Sequence, residues 1–189
     1  MKRFFALAAI AVALLLTSCS SDGDGDGADS GTDEIEGLRT YDDLSNGHMS
    51  GELEYDQWPP VGGDHNPLWQ KCGFYSVRVP PERAVHSMEH GSVWVAYSAD
   101  ESLEDLGDDL ADLLARSVED EFLLVSPLED LATPFVASAW GAQIDLESAD
   151  DPRLDAFIAA YSENGPERAP CVQGGVGNPA EDAGPGLDL

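Results

Sequence analysis

The sequence predicts an α+β fold with a single, mainly antiparallel sheet and two packed helices. Three observations carry this. Apolar residues alternate with others over residues 92–97, where Val93, Val95 and Tyr97 interleave with Ser92, Trp94 and Ala96, the period of a strand. Leu103, Leu106, Leu110, Leu113 and Leu114 recur every three to four residues between acidic ones, the pattern of an amphipathic helix over 102–118. Pro152, followed by Leu154, Phe157, Ile158 and Tyr161, opens a last helix. Short apolar runs at 74–79, 122–125 and 135–140 supply further strands, and strands followed by helix, strands and helix suit one layered sheet.

In chain order, Lys2 and Arg3 precede an apolar run over residues 4–16, and LTSC ends at Cys19. This is the layout of a secretory leader, and the run is too short to span a membrane. LTSC resembles the lipobox of bacterial lipoproteins, which implies residues 1–19 as the signal peptide and Cys19 as the lipidated N-terminus. The expected address is the extracytoplasmic face of the cell membrane, with the lipid anchor as the membrane contact. Removing the leader takes two of nine basic residues and moves the formal charge from −28 to −30. Such a charge repels phosphates, so nucleic acid is not an expected partner.

Residues 20–37 are Asp- and Gly-rich without apolar periodicity and read as an acidic flexible tether. Asp22, Asp24, Asp26, Gly27 and Asp33 fit the ligand order of a calcium loop, but no helical pattern flanks them and a solvated spacer explains them better. Residues 38–171 form the expected α+β domain, and the Gly, Pro and acid of 172–189 read as a disordered tail.

Chemistry concentrates between residues 58 and 97, which hold His65, His86 and His90. Gly62, Gly63, Asn66 and Pro67 place His65 on a loop. HSMEH has two possible geometries. On a helix, His86, Glu89 and His90 reproduce the HxxEH of inverted zinc peptidases, with Glu89 as general base. On a strand, His86, Met88 and His90 share a face. Pro80 and Pro81 before, and Gly91 with VWVAY after, favour the strand. A straight strand would hold the two His Cα atoms roughly 13 Å apart, so a shared site needs a bend at residues 87–89. His65, His86 and His90, with the Met88 thioether, are then candidate ligands for copper, or for zinc if the sulfur takes no part. A metal-free network of buried histidines in a structural or interaction lipoprotein is the alternative, and a hydrolase using HxxEH the third reading. With Cys19 acylated, Cys72 and Cys171 are the remaining thiols and are expected to pair in an oxidising compartment, unless Cys72 is itself a thiolate ligand.

The motifs PPVGGDH, KCGFY, VHSMEHG and ASAWG together resemble the domain-of-unknown-function 3105 (DUF3105) family over residues 58–171. The resemblance marks His65, Cys72, Gly73, Tyr75, His86, Glu89, His90, Gly91 and Trp140 as one constellation, in which Glu89 and Tyr75 are expected to support the metal ligands from behind. Met88 stands where that family more often has leucine. No activity comes with the resemblance.

Overall fold

Val93–Ser98 is buried at every position, and this strand organises the molecule. Its alternation sends Val93, Val95 and Tyr97 to one core and Trp94 and Ala96 to another, so apolar material covers both faces of the sheet. The computed structural model describes residues 35–102 and 105–179. Its elements are β1 (Arg39–Thr40), β2 (Gly73–Phe74), α1 (Pro81–Glu89), β3 (Val93–Ser98), α2 (Gly107–Glu119), β4 (Leu123–Leu128), β5 (Phe135–Ala139), β6 (Ala142–Leu146) and α3 (Pro152–Tyr161). The six strands lie in the order β1-β6-β5-β3-β4-β2. The pairs β1·β6, β6·β5 and β5·β3 are antiparallel, and β3·β4 and β4·β2 are parallel, so the sheet is mixed and mainly antiparallel, in an α+β class.

Leu110, Leu113 and Leu114 of α2 and Leu154 and Phe157 of α3 pack on the Val93, Val95 and Tyr97 face. Two helices were expected from the sequence, and both are there. The third, α1, covers the other face with Ala84, Val85 and Met88 against Trp94, Leu124 and Leu128. Residues 86–90, expected at the start of a strand, instead form the end of this helix and its cap. Pro81 sits at the first helical position, where its missing N–H costs no hydrogen bond, and Gly91 ends the helix at φ +96°. The Gly91 N–H bonds to Met88 O (2.9 Å) and the Ser92 N–H to Ser87 O (3.0 Å), which is the Schellman pattern. Pro and Gly bound the helix here rather than forbid it.

Other boundaries move too. Of the run at 74–79 only Phe74 is in a strand, pairing with Val125 at the end of β2, after which the chain leaves the sheet. β6 forms a hairpin with β5 through Trp140 and Gly141, the latter at φ +74°. Residues 172–179, assigned by composition to a disordered tail, are in place: Val176 pairs with Gln70, its N–H bonding to Trp69 O (3.0 Å) and its O accepting from Lys71 N (2.9 Å). Cys72 and Cys171 form a disulfide with Cα atoms 5.1 Å apart. Residues 1–34 are outside the described part, and with them Cys19 and the calcium-loop aspartates. No described helix is long and apolar enough to cross a membrane.

Candidate metal centre

On α1, residues 86, 89 and 90 share a face, whereas Met88 points the opposite way. The helix therefore separates two roles that a strand would have merged. Met88 is fully buried in the core beneath the helix, with Val79 and Trp94, so its sulfur is core filling and not a ligand. Tyr75 also belongs to that core, and its O–H donates to Lys71 O (2.7 Å).

The outward face of α1 meets two loops and a strap. His65 is fully buried on its loop, its N–H bonding to Gly47 O (2.9 Å) and its O accepting from Met49 N (2.7 Å). This parallel bridge sets His48 beside His65 and stacks the His48 ring on His86, with centroids 4.8 Å apart. The strap follows α3: the N–H groups of Glu163, Glu167 and Ala169 bond to the carbonyls of Gly91, Glu89 and His90 at 2.8, 2.9 and 3.0 Å. These are the acceptors that a helix C-terminus leaves without intrahelical donors. Gly165 lets the strap lie this close, since a Cβ there would strike Glu89 O and Gly91 N.

The donor atoms converge. Glu89, 2% exposed, turns its carboxylate into the cluster: Oε2 lies 3.1 Å from His65 Nε2 and 3.9 Å from both His86 Nε2 and His48 Nε2. One donor atom from each of His48, His65, His86 and Glu89 lies within 4.8 Å of the other three. A second set, Glu89, His90 and Glu167, meets the same limit and shares Glu89 with the first.

Backbone carbonyls fix the imidazole tautomers. His65 Nδ1 bonds to Gly63 O (2.8 Å), His86 Nδ1 to Asn66 O (2.6 Å) and His90 Nδ1 to Glu167 O (2.7 Å). A carbonyl only accepts, so each Nδ1 carries the hydrogen, and each neutral ring presents a bare Nε2 lone pair. This is the orientation that outer partners impose on metal-binding histidines. His65 Nε2 and Glu89 Oε2 are near enough for an ion pair but out of hydrogen-bond alignment, and both atoms are buried without a hydrogen-bond partner among the described residues. Leaving two such atoms unsatisfied costs on the order of 1–3 kcal/mol each. A cation between them removes that cost.

Burial pushes the His86 imidazole down to about 4, helped by the charges of His65, His90 and His48 and opposed by its bond to the Asn66 carbonyl. His86 is therefore neutral near pH 7, the form that ligates. Trp69 lies edge-on to His90 at 5.2 Å and tilted over His86 at 5.5 Å, and Trp140 stands edge-on to His65 at 6.0 Å, so indoles wall the cluster.

The structure brings His65, His86 and His90 close to one another, sets the Glu89 carboxylate among the imidazoles, and places Met88 and Tyr75 in the core beneath α1. Sequence reasoning passed over His48 and Glu167. No spacing rule connects either to HSMEH, because each arrives by a long-range backbone contact.

The family model described as "Protein of unknown function (DUF3105)" matches residues 47–173. The chain belongs to the DUF3105 family. The match begins one residue before His48 and ends two residues after Cys171, so it spans the whole cluster and its disulfide. Neither the curated proteins nor the solved structures hold a match to this chain.

Proposed function

We propose that this DUF3105 protein is an extracytoplasmic, lipid-anchored module that binds a transition-metal ion, zinc or copper(II), through His48, His65, His86 and Glu89. One observation supports the reading above the rest: bare Nε2 lone pairs, held by carbonyls on Nδ1, face a buried carboxylate oxygen that has no hydrogen-bond partner among the described residues. Two atoms on one ion with bonds near 2.0–2.1 Å are at most about 4.2 Å apart, and the 3.1 and 3.9 Å separations of the imidazoles from Glu89 Oε2 fit under that limit. Three imidazoles and a carboxylate suit zinc or copper(II). With the Met88 thioether in the core, copper(I) loses its soft ligand.

The lipid anchor rests on LTSC and Cys19. Cys19→Ser is expected to abolish partitioning into detergent, and unchanged attachment would remove the anchor from the reading.

The helical geometry also favours a second reading, a metal-dependent hydrolase on HxxEH, because His86, Glu89 and His90 do share a helix face. A general base needs room for a water beside the metal, whereas Glu89 Oε2 is enclosed by imidazoles. Binding is therefore the better-supported role. The test is metal analysis of protein purified without a polyhistidine tag, in high salt with excess magnesium so that loose binding to the acidic surface is suppressed. Bound zinc or copper should be lost in His65→Ala and Glu89→Gln and kept in Met88→Leu. Retention in both site variants would remove the proposal.

A further inference from the structure

His90 is the one bare imidazole that the single-ion set does not use. Its Nδ1 is committed to Glu167 O (2.7 Å), yet its Nε2 stands 3.0 Å from the Nε2 of His86, whose own Nδ1 is committed to Asn66 O (2.6 Å). Neither nitrogen has a hydrogen to offer the other while both rings are neutral, so two lone pairs face each other at hydrogen-bond distance. The donor set His48, His65, His86 and Glu89 does not include His90. The second donor set, Glu89, His90 and Glu167, lies on that side of the cluster and shares the buried carboxylate. A carboxylate has two oxygens, and of those of Glu89 it is Oε2 that faces the first set.

We propose that the cluster holds two divalent transition-metal ions bridged by the Glu89 carboxylate, the first on His48, His65 and His86, the second on His90 and Glu167. The proposal rests on the metal-binding reading above. Carboxylate-bridged ions sit about 3.5–4 Å apart. The second position has fewer protein ligands, one of them the exposed Glu167, so it is the weaker and more readily exchanged. The strap accounts for the position: the Glu167 N–H on Glu89 O, and the Glu167 O on His90 Nδ1, dock this residue on the end of α1.

The experiment is a titration of the untagged, disulfide-intact protein with zinc chloride in high salt and excess magnesium, paired with electron paramagnetic resonance of the copper(II)-loaded form. Wild type should take up two ions per chain, the second at least tenfold more weakly, and two copper equivalents should show spin coupling. Glu167→Gln and His90→Gln should each saturate at one ion with an uncoupled signal. Glu167 is exposed, so its variant should fold normally, and unchanged near-ultraviolet circular dichroism checks this. Saturation of wild type at one ion, lost in His65→Ala, would overturn the pair and leave the single-ion reading standing. Two uncoupled ions, or two still bound in Glu167→Gln, would also overturn the bridge. No zinc or copper bound at all would overturn both readings.

Discussion

Burial of the His86 imidazole makes the cluster sensitive to acid. His86 in the unfolded chain takes a proton near 6.5, but in the folded chain only near 4. Between these values the unfolded state binds more protons, so stability falls as pH falls from about 6.5 to about 4, and His86 contributes no further loss below that. Metal-free protein should show this decline in urea unfolding followed against pH, and His86→Gln should flatten it; an unchanged profile in the variant would assign the effect to other groups. Bound metal opposes the decline, because the same lone pairs then hold an ion, until protons compete it away. Met88 supplies the contrast within α1. Met88→Leu conserves volume in the core and should cost less than about 1.5 kcal/mol with metal uptake unchanged. A loss of copper in that variant would return the thioether to the site.

At the scale of elements, α1 carries His86 and Glu89, and Gly91 sets its end. Gly91→Ala forces a side chain to φ +96° and places a Cβ 2.9 Å from the Glu163 backbone, which should destabilise the fold by roughly 1–3 kcal/mol in denaturant titrations. The strap would be displaced with it, and metal affinity should fall even though no ligand is changed. The same glycine shows how far the sequence could be read. Alternation in β3, leucine spacing in α2 and Pro152 at the start of α3 were legible because each pattern is local. α1 was equally local, with Pro81 at one end and Gly91 at the other, but both were weighed as breakers and not as caps. His65, His86 and His90 could be picked out by residue type. His48 and Glu167 could not, since the first is placed by a bridge to residue 65 and the second by hydrogen bonds to residues 89 and 90.

For the whole molecule, the disulfide ties Cys171, near the end of the matched family region, to Cys72 and fastens the strap beside the cluster. Cys72 and Cys171 are 99 residues apart, and the chain-entropy model gives a contribution of roughly 2–5 kcal/mol for so long a loop. Cys72→Ser with Cys171→Ser should lower stability by that amount, and alkylation of unreduced wild-type protein should leave both cysteines unmodified by mass spectrometry. Two modified thiols would rule the link out. The strongly acidic composition collects divalent cations on the surface, so a bound ion by itself says little about this site. The ligands must be identified. X-ray absorption spectroscopy of zinc- or copper-loaded protein, washed in high salt with excess magnesium, does this most directly. The predicted spectrum has nitrogen and oxygen neighbours at about 2.0–2.1 Å with the outer-shell scattering of imidazole rings. A shell of oxygen alone, without imidazole scattering, would contradict a metal centre built on these histidines.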